Sequence, residues 1–220
     1  MKFSAATLAS FEKAQQKSDE PTQRQYLNPN EIEMNKEVEF CFLSDEPFEF
    51  WEVWGEPVDP EGRMRPFRFP YDPEDVNETP PSEDEIRIEM GQNYMHQILK
   101  WDQGKYKKGD KTPPNKCMAW PVYNLDEECV QTFKVAQASI KSQITSKLTM
   151  KKYRKRSLDF NYTLHKSKQK NITTYTFDAL DRDDDFNEEP IDKAWEQAQA
   201  QGYDIKVLLT NGNPMNPEGD

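Results

Sequence analysis

The sequence predicts a mostly β fold with flanking helices (α+β), arranged as a small Greek-key barrel of five to six short strands with long insertions. Short runs in which apolar and polar residues alternate recur along the chain and indicate strands. One run with helical spacing lies between the last two pairs of strands. With 220 residues, the chain suits one large domain, or one domain with appendages.

The first 30 residues are predicted to form an N-terminal helix and a linker. Leu8 and Phe11 lie on one side of an amphipathic pattern over residues 4–17, and Ser4 is suited to cap it. Residues 18–30 are polar and interrupted by proline, which is typical of a linker.

Two strands are predicted next, at residues 37–44 and 48–54. Val38, Phe40 and Phe42 alternate with polar residues in the first, and the second is rich in aromatic residues. The SDEP stretch between them has turn composition, so the two strands are predicted to pair as a hairpin.

A long insertion follows over residues 55–111 and is predicted to consist of loops around one helix. Residues 55–81 hold seven prolines and show little periodicity. Ser82 and Glu85 have the spacing of a capping box, which predicts that a helix begins there and runs over residues 83–101, although a central glycine weakens the pattern.

The remaining elements complete a predicted barrel domain over residues 31–180. They are strands at 116–124 and 129–135, a helix at 138–148, and a closing hairpin of 157–165 and 172–178. Ile140, Ile144 and Leu148 support the helix, and Pro121 indicates an edge or a bulge. This order suits the oligonucleotide-binding (OB) type of barrel, and a split sheet with flanking helices is the main alternative.

Residues 181–220 are predicted to form an acidic run, a helix and a tail. Asp and Glu dominate residues 181–189. Pro190 suits the first position of a helix, and Gly202 is suited to end it.

The sequence carries none of the compact patterns of catalytic or cofactor sites. It has no glycine-rich phosphate loop and no GxSxG, HExxH or paired CxxC pattern, so we predict no enzymatic activity and no cofactor. Five residues are possible zinc ligands but lack the close spacing of structural zinc sites, and no metal site is predicted: Cys41, His96, Cys117, Cys129 and His165. The carboxylates of residues 181–185 leave a metal-dependent nuclease as a less favoured alternative.

The cysteines lie far apart and do not form an even-numbered framework, which indicates a reducing compartment. No signal peptide is visible, and no apolar run approaches the length that crosses a membrane. These features predict a soluble cytoplasmic protein with no membrane partner.

The charge is unevenly distributed along the chain. The formal net charge is −11, yet residues 130–177 hold eleven Lys or Arg residues and one acidic residue. The rest of the chain holds eighteen basic and thirty-nine acidic residues. A local basic excess in an acidic protein indicates a negatively charged partner.

Three stretches, at residues 63–71, 101–111 and 151–170, interleave cations with aromatic rings. Single-stranded nucleic acid exposes phosphates, which cations bind, and unstacked bases, which restack on flat rings. We therefore predict a single-stranded nucleic-acid surface. A protein-interaction or structural module that binds an acidic partner through the basic patch is the alternative.

The predicted phosphate-binding cations fall in all three stretches: Arg63, Arg65, Arg68, Lys105, Lys107, Lys108, Lys151, Lys152, Arg154, Lys155, Arg156, Lys166, Lys168 and Lys170. The predicted aromatic contacts are Trp51, Trp54, Phe67, Tyr106, Tyr153 and Tyr162. Strand alternation places Trp51 and Trp54 on opposite faces, so at most one of them is expected on the binding side.

Three segments carry a resemblance to a known family: EFCFLSDEPFEFWEVWGE, WPVYNLDEECVQTFKVAQASIKSQITSKL and LDFNYTLHKSKQKNITTYTFDAL. Over roughly residues 37–180, the chain resembles the helix-destabilising single-stranded DNA-binding proteins of tailed phages. The resemblance implies an OB fold without enzymatic activity. It also implies sequence-tolerant coverage of single-stranded DNA during phage replication, recombination and repair in the host cytoplasm.

The resemblance further implies self-association through the N-terminal segment, where Lys2, Lys13 and Lys17 lie. It implies that acidic segments engage replication or recombination proteins. In this chain the acidic run 181–189 is internal and the final residues are only weakly acidic, which departs from the family. The closely spaced Cys and His zinc ligands of the best-known member are also missing, so the metal is not carried over.

Overall fold

A computed structural model of the chain describes residues 25–75, 78–98 and 110–217. The predicted helix at residues 4–17 lies outside these ranges. The strands are β1 (Tyr26–Leu27), β2 (Lys36–Phe42), β3 (Phe48–Pro57), β4 (Arg65–Pro70), β5 (Tyr94–His96), β6 (Asn115–Asn124), β7 (Cys129–Val135), β8 (Phe160–Gln169) and β9 (Ile172–Asp181). The α-helices are α1 (Glu83–Met90), α2 (Ala138–Thr149) and α3 (Glu189–Ala200), and the 3-10 helices are Pro29–Glu31, Ser157–Asp159 and Ile205–Thr210.

The described strands form one mixed sheet in the order β1-β7-β6-β2-β8-β9, and β3 pairs with β4, β5 and β6. Among the strand pairs of the described ranges, only the short β1–β7 pair is parallel. The predicted mostly β, α+β class is confirmed. The predicted count of five to six strands is too low. The sheet is also not closed into a barrel, because among the described residues no pairing joins the edge strand β9 to β7, near the opposite end of the sheet.

The helix α2 explains why the sheet stays open beside β9. The Gln143 side chain donates to the Tyr175 carbonyl at 2.9 Å and accepts from the Phe177 amide at 3.0 Å. A strand that closed the sheet would need these same backbone groups of β9. The Gln143 side chain therefore occupies the edge of β9 that a closing strand would use.

β2 and β3 do not form the predicted hairpin. Both run antiparallel to β6, with Phe42 opposite Val122 and Phe48 opposite Ala119. The two strands pair one after the other along the same edge of β6, and residues 43–47 interrupt them. The prediction failed because a short turn-like sequence between two strands also suits a bulged break in a single strand.

The proline-rich insertion contains a strand that the sequence did not predict. β4 pairs antiparallel with β3 from Arg65 opposite Gly55 to Pro70 opposite Phe50. Among the described strands it pairs only with β3, so it is an edge strand, where missing proline amides are tolerated.

The helix α1 begins as predicted and ends early. Ser82 Oγ accepts from the Glu85 amide at 3.3 Å, and Glu85 accepts from the Ser82 amide at 2.7 Å, which confirms the capping box. Gly91 has φ of 60° and ends the helix after Met90, so the predicted extension to residue 101 is wrong for the described residues.

The main core lies between α2 and one face of the sheet. Even-numbered residues of β6, such as Trp120 and Val122, face this core, where Phe40, Tyr162 and Ile144 are also buried. The predicted helix at 138–148 and the closing hairpin are confirmed. Lys170 and Asn171 form the tip of this β8–β9 hairpin with φ of 46° and 66°, as a tight two-residue turn requires.

The C-terminal segment covers the other face of the sheet. Ile191 and Ala198 of α3 pack on Tyr123, and the fully buried Leu208 packs on Phe50. The predicted helix that begins around Pro190 and ends before Gly202 is confirmed. No helix within the described ranges is long and apolar enough to cross a membrane.

Candidate nucleic-acid interface

Two of the predicted stacking rings belong to the core instead. Tyr162 is fully buried, stacks on Phe177 at 5.2 Å between centroids, and donates to the Ser157 carbonyl at 2.9 Å. Phe67 is 2% exposed and packs with Val53 and Ile86. Neither ring presents a face to a base, which corrects their predicted role.

Tyr153 is half-buried in the turn that follows α2. Its ring meets the Phe160 ring edge-on with centroids 4.8 Å apart and packs against the main core. Its position anchors the turn, and only part of its ring faces solvent.

Trp51 and Trp54 lie on opposite faces of β3, as alternation predicts. The Trp51 indole donates to a Glu78 carboxylate oxygen at 3.1 Å and contacts the Tyr71 ring. Trp54 is 41% exposed. Of the two indoles, Trp54 is therefore the one with a large surface available to a ligand.

Arg68 is part of a buried ionic group. Its Nε donates to Glu52 at 3.0 Å, and Lys134 donates to the same carboxylate oxygen at 2.6 Å. Arg68 Nη1 also donates to the Leu208 carbonyl at 2.7 Å. The Arg68 side chain is 9% exposed and stabilises the packing of the C-terminal segment. Contrary to the prediction, it is not free to bind a phosphate.

Three further predicted cations already have partners. Lys152 pairs with Asp181, and Arg156 pairs with Asp159, both at 2.7 Å and both on the surface. Such exposed pairs contribute little to stability. Lys166 instead donates to the carbonyls of Asn30 and Ile32, both at 2.7 Å, so it holds residues 30–32 against β8.

The other predicted cations in the described ranges are exposed and have no ion-pair partner there: Arg63, Arg65, Lys151, Arg154, Lys155, Lys168 and Lys170. The Arg65 guanidinium lies 4.5 Å from the Phe67 ring centroid. We call Lys151, Arg154 and Lys155 the turn cluster, since all three lie in the turn after α2.

The exposed cations of the basic stretch 151–170 fall in two separate groups. The turn cluster precedes β8, with the 3-10 helix Ser157–Asp159 between them, whereas Lys168 and Lys170 lie at the tip of the β8–β9 hairpin. β8 has ten residues, so the two groups are roughly 30 Å apart along the strand.

The predicted contacts Lys105, Tyr106, Lys107 and Lys108 lie outside the described residues. Their flanks are described: Ile98 forms a bridge with Lys111, and the Gln97 amide donates to the Trp54 carbonyl at 3.0 Å. The described residues that flank this segment, Ile98 and Lys111, therefore pair with each other close to the Trp54 backbone.

A cleft beside Trp54 contains residues that sequence reasoning did not select, above all Tyr26 and Lys134. Lys134 lies on β7 between Phe133 and Val135, which both face the core, so alternation alone would have placed it on the opposite face. No comparable signal marks Tyr26, because a two-residue strand has no periodicity.

The five possible zinc ligands do not meet. No group of three His, Cys, Asp or Glu side chains in the described ranges is arranged to hold a metal ion. All three cysteines are buried. Burial raises the pKa of Cys41 to about 11 and that of Cys117 to about 12, so both remain neutral thiols at physiological pH.

Comparison with protein-family models, curated proteins and solved structures gives no match for this chain.

Proposed function

We propose that this chain is a sequence-tolerant single-stranded DNA-binding protein with an open OB-type fold. The support comes from strand order. If β2 and β3 count as one interrupted strand, the pairs β2/β3–β6, β6–β7, β2–β8 and β8–β9, with α2 between β7 and β8, follow the order of a five-stranded Greek-key barrel. OB barrels are commonly only partly closed.

The position of the basic connections also supports this proposal. In OB folds, the loops between strands 1 and 2 and between strands 4 and 5 flank the ligand surface. Here the first connection is residues 58–114, which carries Arg63 and the basic segment 105–108. The second is the β8–β9 hairpin tip, which carries Lys168 and Lys170.

The observation that carries the proposal is the exposed Trp54, which lies on β3 next to the flanks of the basic segment. An exposed aromatic face of this kind suits stacking of an unstacked base. The proposed activity is binding without catalysis, and it needs no cofactor. As the resemblance implies, we place it in phage DNA replication, recombination and repair, with acidic segments for protein partners.

The test is the affinity of the whole chain for a fluorescently labelled oligo-dT, measured by anisotropy from about 50 to about 200 mM salt. We expect tight binding at low salt, a steep linear fall of log K with log salt, and weaker binding to a duplex of the same length. Absence of binding at low salt would refute the proposal. Cleavage of the strand on addition of magnesium would support the nuclease alternative instead.

A further inference from the structure

The cleft beside Trp54 lies on the face of the sheet that the C-terminal segment covers elsewhere. The 3-10 helix Ile205–Thr210 ends its cover at Arg68, whose Nη1 donates to the Leu208 carbonyl. Beyond this contact a cleft of about 360 Å³ opens between β1, β3, β4 and the start of α2. That volume lies at the small end of the range for ligand pockets, roughly 300–1,000 Å³.

The walls of the cleft offer aromatic surface. Trp54 is 41% exposed, and Tyr26, which also lines the cleft, is half-buried. Burial raises the pKa of the Tyr26 phenol, against an opposing effect of Arg68, so the ring stays neutral. A flat heteroaromatic ligand gains contact with such rings at little cost in desolvated charge.

The charges that line the cleft cancel. Glu52 is 4% exposed and is neutralised by Arg68 and Lys134, while Glu31 adds one more carboxylate at the rim. A phosphate placed here would meet cations that are already paired and a second acidic group. The cleft is therefore suited to a neutral ring rather than to a phosphate.

The N-terminal wall of the cleft is held in place before any ligand arrives. The Asn28 side chain accepts from the Asn30 amide at 3.0 Å, and Gln137 Nε2 donates to Asn30 Oδ1 at 3.2 Å. Lys166 fixes the Asn30 carbonyl from β8. Such pre-organisation lowers the entropy cost of binding.

We propose that this cleft is a subsite that takes one unstacked nucleobase of the bound strand, with Trp54 as its stacking surface. This inference rests on the proposed single-stranded DNA-binding function and adds a defined position for one base. Phosphates on either side of that base remain outside the cleft, because its own cations, Arg68 and Lys134, are paired with Glu52.

The test compares an oligo-dT with a strand of the same length made of abasic sugar-phosphate units, using labelled strands and anisotropy. Stacking on one aromatic side chain contributes about 1–3 kcal/mol. We therefore expect Trp54→Ala to weaken oligo-dT binding by about 5- to 150-fold and to leave abasic-strand binding nearly unchanged. Trp51→Ala is the matched control on the opposite face. It should change neither the affinity for oligo-dT nor the affinity for the abasic strand.

The outcomes separate this inference from the proposed function. If the wild-type protein binds neither strand, the proposed function itself fails. If it binds oligo-dT and Trp54→Ala keeps the full preference for bases, the subsite is refuted while the function stands. Trp54→Leu, which keeps apolar bulk but loses the flat ring, should show the same loss of preference and guards against an effect of misfolding.

Discussion

The turn after α2 and the strand β8 carry two halves of one basic–aromatic stretch, yet they have opposite relations to the core. In the turn, Lys151, Arg154 and Lys155 are exposed. In β8, Tyr162 is fully buried and Lys166 is committed to backbone carbonyls. The turn cluster is therefore at the surface, whereas Tyr162 and Lys166 of β8 stabilise the fold.

The difference comes from strand geometry. Tyr162, Leu164, Lys166 and Lys168 all lie on one face of β8, because side chains alternate with a period of two. The core ends between Leu164, which is fully buried, and Lys166. An aromatic residue near lysines in a strand is thus a core residue wherever its face is covered, whatever the charge of its neighbours in sequence.

The largest expected effect is that of Tyr162→Ala, which tests whether the buried half is structural. Removing a buried aromatic side chain leaves a cavity, so we expect the free energy of unfolding to fall by about 3–5 kcal/mol. Urea denaturation followed by circular dichroism measures it. Tyr162→Phe removes only the bond to the Ser157 carbonyl and should cost about 1 kcal/mol.

A small stability loss for Tyr162→Ala, together with a large loss of DNA affinity, would contradict the comparison. It would place the Tyr162 ring at the nucleic acid rather than in the core.

The parts of the fold that could be predicted are those with one clear face. β2, β6, β7, α2 and α3 have regular alternation or helical spacing, and Ser82 with Glu85 fixes the start of α1. β4 was missed because Pro66 and Pro70 mask its pattern, and only its edge position makes them tolerable. The β2–β3 hairpin was mispredicted because local sequence does not specify which strand each half pairs with.

The site could be predicted less well than the fold, for a physical reason. Composition marks Arg68 and Arg63 alike as cations, but only tertiary structure brings Glu52 to Arg68 and leaves Arg63 in solvent. Likewise, the sequence predicts that at most one of Trp51 and Trp54 lies on the binding side, but it does not say which. The structure shows that the Trp51 indole is already bonded to Glu78.

The next largest effect concerns the same contrast within β4. Arg68→Met leaves Glu52 buried with one cation and removes the donor to the Leu208 carbonyl, so we expect a loss of about 3 kcal/mol in the free energy of unfolding. Arg65→Met is the matched control, because this arginine of the same strand is exposed and has no ion-pair partner in the described ranges, and it should cost under about 1 kcal/mol. Equal losses for the two variants, measured by thermal and urea unfolding, would mean that the Arg68–Glu52 pair contributes no more to stability than an exposed arginine of the same strand.

The smallest effect on stability is expected in the turn cluster. The double change Lys151→Ala and Lys155→Ala removes two exposed, unpaired cations, so stability should stay within about 0.5 kcal/mol. If both meet phosphates of a single strand, the slope of log K against log salt should become less steep by about 1.4. The matched control removes two exposed lysines of the C-terminal segment, Lys193→Ala and Lys206→Ala, at the same cost in net charge. Equal slopes for the two double variants would show that the turn cluster contributes only general charge, and would confine the interface to the cleft and the connections that flank it.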